Sequence, residues 1–156
     1  MAVRLDKLQA TYAGNIESVK ASVDLKNGEF VALGARVEGE RELFQAGAPT
    51  DVGTQEVLLV ASPELTYESG TTILDFVNKA GKPARAYHLY VGDIITVTDD
   101  VIDGTSVVGQ YLVPQNGKTK LAPAADLSGG TRFAAQVIEK TTIYGQPATA
   151  FRVVKN

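Results

Sequence analysis

Two stretches of this chain repeat each other, and the repetition restricts its possible folds more than any other feature. Gly81-Lys82-Pro83-Ala84-Arg85-Ala86-Tyr87-His88-Leu89 returns as Gly145-Gln146-Pro147-Ala148-Thr149-Ala150-Phe151-Arg152-Val153. The glycine, the proline and both alanines are identical, Tyr87 pairs with Phe151, and Leu89 with Val153. Four weaker matches precede it in the same order. Gly53-Thr54 and Gly130-Thr131 each introduce an apolar run, and Ala48-Pro49 with Asp51 matches Ala122-Pro123 with Asp126. Gly39 and Leu43 match Gly117 and Leu121, and Asp24 to Gly28 matches Asp100 to Gly104. Reuse of Gly and Pro turns is the plainer source of such likeness, but five matches in one order favour duplication of a unit. The first copy then carries extra residues around Leu65 to Lys79.

The divisions that follow are an N-terminal arm at 1–15, a first β unit at 16–91 and a second at 92–156. Units of this size bury a poor fraction of their surface alone, so the two are expected to share an interface or to pack in an oligomer. Short runs rich in Val, Ile, Thr and Tyr, punctuated by Gly and Pro, predict strands rather than helices. The fold expected is mainly β, with about five short strands per unit arranged as a small barrel or sandwich. Strands are expected near Phe30 to Val37, Leu43 to Ala46, Glu56 to Ala61, Ala84 to Tyr90 and Ile94 to Thr98. Others fit Val107 to Val113, Phe133 to Glu139 and Thr149 to Val154. In Ser18 to Leu25, alternation places Val19, Ala21, Val23 and Leu25 on one face. Asn27-Gly28, Asp103-Gly104 and Asn116-Gly117 carry the signal of tight hairpins. The expected core includes Val23, Leu58, Leu89, Val97, Val137 and Val153.

Two segments resist a strand reading. In Val3 to Tyr12, the residues Leu5, Leu8 and Tyr12 share one helical face, so the segment reads as a short helix or as an arm that docks on a neighbour. Thr72 with Asp75 three residues later has the form of a capping box, and Gly81 could stop a short helix at 72–80.

The formal net charge of −3, from 15 basic and 18 acidic residues in even mixture, leaves no basic stripe for nucleic acid and no polybasic segment for a membrane. There is no cysteine, so disulfides and thiolate chemistry are excluded. Met1 to Gly14 carries Arg4, Asp6 and Lys7 and has no signal-peptide core. The longest apolar run, Val57 to Ala61, is far short of the about 20 residues of a membrane helix, so synthesis in the cytoplasm and solubility are expected.

Residues for catalysis are sparse. The single histidine, His88, has no Gly-x-Ser-x-Gly elbow to serve, and its repeat partner is Arg152. Asp99, Asp100 and Asp103 with Gly104 suggest a calcium loop. An EF-hand register from Asp99, however, puts Val101 and Gln110 where carboxylates belong, which favours a charged turn over a weak calcium site. Neither a phosphate-cradling loop nor a dinucleotide fingerprint is present, and no cofactor is expected.

The stretch Gly81 to Thr98 (GKPARAYHLYVGDIITVT), and Phe133 to Ile143 (FAAQVIEKTTI) with its Gly145-Gln146-Pro147-Ala148 ending, resemble small structural proteins of tailed bacteriophages. These are encoded near the major capsid protein and taken to be capsid decoration (head auxiliary, cement) proteins. The likeness runs over roughly Val37 to Asn156 and brings no functional residue that transfers by position. The resemblance implies a non-catalytic protein, made in the host cytoplasm, that binds the exterior of the mature capsid and stabilises it. Its partners would be the major capsid protein and further copies of itself, with a trimer favoured. An arm from Ala2 to Tyr12 would anchor it through Leu5, Leu8 and Tyr12. A receptor-binding or adhesion β-module of a phage tail or cell surface is the alternative. An enzyme built on His88 or on Asp99 to Asp103 is the third reading.

Overall fold

The computed structural model describes residues 2–65 and 69–156; Met1 of the arm and 66–68 of the inserted segment lie outside the described residues. The strands of the first unit are β2 (Ile16–Ala21), β3 (Phe30–Arg36), β4 (Leu43–Gly47), β5 (Leu58–Val60) and β6 (Pro83–Tyr87). Those of the second are β7 (Ile94–Thr98), β8 (Tyr111–Val113), β9 (Ala122–Ala124), β10 (Ala134–Ile143) and β11 (Gln146–Lys155). Ahead of both lie β1 (Val3–Lys7) and a single-turn helix, α1 (Gln9–Ala13).

The first five strands close a barrel in the order β2-β4-β3-β5-β6. All its pairings are antiparallel except β2 with β4, which run parallel from Ser18–Leu43 to Ala21–Ala46. The second unit repeats the four antiparallel pairings in the same order, as β7-β11-β10-β8-β9. What it lacks is the parallel closure, which is reduced to one bridge between Ile102 and Leu121. In the place on β7 that β4 holds on β2 stands β1, paired antiparallel from Val3–Val97 to Lys7–Ile94. The second unit is thus an opened copy of the barrel with the N-terminal strand set at its seam. The duplicated peptides become β6 and β11, each entered through a glycine of positive φ, Gly81 at 74° and Gly145 at 75°.

Two cores result. Val19, Ala21, Leu25, Val31, Leu58, Val60, Ala84 and Ala86 fill the barrel. The larger core joins Leu59 of β5, Tyr87 of β6 and Leu89 just beyond it to Ile95, Val97, Leu112, Val137, Phe151 and Val153 of the second unit. At its centre Phe30 of the first unit lies 5.4 Å from Phe133 and 6.4 Å from Phe151, ring centre to ring centre. Backbone bonds cross the same boundary, from Phe30 N to Thr119 O at 2.7 Å and from Arg132 N to Val52 O at 2.8 Å.

Of the expected core, Leu58, Leu89, Val97, Val137 and Val153 are buried, while Val23 is 56% exposed. The alternation that placed it inside ends with β2 at Ala21; the chain bends at Ser22 and Val23, and burial resumes at Leu25. Asn27-Gly28 and Asp103-Gly104 are turns with glycine at positive φ, but neither makes a hairpin, because β2 does not pair with β3 nor β7 with β8. The tight hairpin is at Tyr144-Gly145 between β10 and β11, where both residues have positive φ as a two-residue turn of this hand requires. The helix considered at 72–80 is one 3-10 turn, Ile73–Asp75, whose Asp75 carboxylate accepts from Thr72 N at 2.8 Å.

Candidate functional site

The arm lies on its own body. Its helical reading gives way to a strand over Val3–Lys7 followed by one turn of helix. Leu8 is 2% exposed within the shared core, which leaves it no surface for a neighbour, while Leu5 is half-buried against that core. Tyr12 alone stands out, 90% exposed. The signal for the strand was present in the sequence: Val3 and Leu5 alternate with Ala2, Arg4 and Asp6, a period of two rather than 3.6.

The polar residues singled out for chemistry are each held by neighbours. The imidazole of His88 sits between two carboxylates, with Nδ1 2.8 Å from Glu56 Oε1 and Nε2 3.1 Å from Glu17 Oε1. The three acids of the charged turn face three different lysines. Asp99 meets Lys140 at 2.9 Å, Asp100 meets Lys26 at 3.1 Å, and Asp103 meets Lys118 at 2.8 Å. Burial would push the Asp100 carboxyl up, but bonds from Thr98 and Lys26 outweigh it and hold the group below its ordinary value. Lys118 and Gln115 hold Asp103 low in the same way. The carboxylates therefore diverge, and among the described residues no three metal-ligating side chains converge.

What the surface offers instead is a groove of about 530 Å³ where the two units meet. Because β2 and β4 run parallel, both end at the same mouth of the barrel, and their ends supply the floor: Ser22 and Val23 from one, Ala46, Gly47 and Ala48 from the other. The far wall is the β8–β9 connection, Gly117 to Lys120, with Asp103 beside it. That wall is fixed by bonds from Gly117 N to Pro49 O at 2.7 Å and from Thr119 Oγ1 to Glu29 Oε1 at 3.0 Å. Lys120 donates to the Asp100 carbonyl at 2.9 Å. The groove thus has a floor of small apolar side chains and two ammonium groups on its rim. It holds no histidine, and its one carboxylate is already paired. The sequence marked Asp103 and Gly117 only as turn residues and Val23 only as core, and nothing in it joined them to the small-residue run at Ala46 to Ala48.

No family model, curated protein or solved structure matches the chain.

Proposed function

We propose that this chain is a non-catalytic structural protein that binds the outer surface of a mature bacteriophage capsid, with the major capsid protein as partner, and stabilises the shell. The observation that carries the reading is the groove between the units. It offers shaped apolar contact and rim cations without a nucleophile–base pair, which suits recognition rather than turnover. The resemblance carried by Gly81 to Thr98 and Phe133 to Ala148 supports the same reading. Stabilisation would arise by linkage: a ligand that binds the mature shell better than its precursor or its separated subunits shifts the balance toward the mature shell. Trimers on local three-fold axes would add modest contacts by avidity.

The test is cosedimentation of the purified protein with expanded, DNA-free shells and with unexpanded procapsids. Saturable binding to expanded shells at a fixed ratio to capsid subunits is the expected result, and Val23→Asp should weaken it tenfold or more while leaving the fold intact. Binding to neither shell would overturn the proposal and bring a receptor-binding role forward.

A further inference from the structure

We infer that His88 is held as an imidazolium clasp joining β2 to the segment that leads into β5, and that loss of its proton loosens the root of the N-terminal helix. Both ring nitrogens face carboxylate oxygens, at 2.8 and 3.1 Å. A neutral imidazole has one N–H, so one nitrogen would present a lone pair to a carboxylate. Only the doubly protonated ring donates to both. The His88 side chain is 15% exposed, and its partners Glu17 and Glu56 are 27% and 32% exposed. Glu17 on β2 and Glu56 ahead of β5 are the charges that bear on it.

The clasp stands at the base of α1. His88 N donates to Asn15 O at 3.3 Å, Asn15 N donates to Ala10 O at 3.1 Å, and the Asn15 amide bonds the Tyr90 hydroxyl. Partial burial by itself would push the imidazole down, but the bonds to Glu56 and Glu17 outweigh it, and the net displacement is upward. A group whose folded pKa is raised contributes fully below its unfolded value of about 6.5, and that contribution is lost as pH rises through the folded value.

Because the chain has one histidine, its ring resonances are unambiguous. Nitrogen-15 NMR of the wild type should show both ring nitrogens mainly protonated at pH 6.5, with Glu17→Gln and Glu56→Gln each lowering the midpoint. As pH rises from about 6.5 through the folded midpoint that the NMR reads, the melting temperature should fall by more in the wild type than in His88→Gln. Over the same interval, chymotryptic cleavage after Tyr12 should accelerate more in the wild type than in the variant. A neutral tautomer at pH 6.5, with a midpoint at or below the free value, would overturn the clasp. Equal pH responses of cleavage in the two proteins would overturn its hold on the helix. The NMR titration needs no variant, so it decides the matter even if His88→Gln fails to fold.

Discussion

Gly28 and Gly145 both occupy positive φ, at 95° and 75°, yet a side chain would meet different surroundings at each. A Cβ on Gly28 would stand 2.9 Å from Val101 Cγ2 and 3.2 Å from Val97 Cγ1, inside the shared core, whereas one on Gly145 would meet open space. Gly145→Ala should therefore cost only the strained backbone, about 1 kcal/mol, and Gly28→Ala about 3 kcal/mol because overpacking is added. Chemical denaturation of the two variants checks the ordering. The same turn shows what was readable at this scale. Asn27-Gly28 announces positive φ, and the turn is there. That Asn27 is fully buried was not readable, since its partners lie far along the chain. Its side chain donates to Ser62 O at 2.8 Å, accepts from Ser62 N at 3.0 Å and meets Asn78 at 3.0 Å. Local backbone preference is written in two residues; a buried polar hub depends on residues about 35 and 51 positions away.

Strand β1 is both an edge and a cover. Both ends of the six-stranded sheet are ill-suited to pairing with another chain. The ladder of β1 is interrupted between Arg4 and Lys7 and carries charge, while β9 is three residues long with Pro123 at its middle. These are ordinary devices against edge-to-edge aggregation. The edge of β7 beneath β1 has no such protection: Ile94-Ile95-Thr96-Val97-Thr98 is β-branched throughout. Removing residues 1–7 should expose that edge and leave Leu8 without its approach to the core. The truncated protein is expected to melt at least about 5 °C lower and to self-associate, as light scattering during a thermal ramp would show. Most strands were legible as alternating runs between Gly and Pro, and β9 was lost because Ala122-Pro123-Ala124 has no β signature. The arm misled for a physical reason: a five-residue strand followed by one helical turn places Leu5, Leu8 and Tyr12 at spacings that also fit a helix.

Across the whole molecule, the duplication was legible and the difference between its copies was not. Repeated glycines and prolines fix turns, so the order of strands carries over. Whether a ring closes depends on one parallel contact between strands that no turn connects. Packing then binds the halves together, because Leu59 of β5 and Tyr87 of β6 are buried on the outside of the barrel, in the core shared with the second unit. The two units should accordingly unfold in one transition, with calorimetric and van't Hoff enthalpies agreeing. Phe30→Ala, which removes the ring between Phe133 and Phe151, should lower that single transition by about 3–5 kcal/mol rather than split it in two. The placement of the first and last strands has a mechanical consequence. Both β1 and β11 pair antiparallel to β7, so they run parallel to each other on its two sides. The chain therefore enters beside Thr98 and leaves beyond Ile94, at opposite ends of that one strand. Tension applied between the termini pulls along the strands and loads every bond of both ladders in shear at once, where the opposite arrangement would unzip them singly. A molecule threaded this way resists being drawn out by its ends.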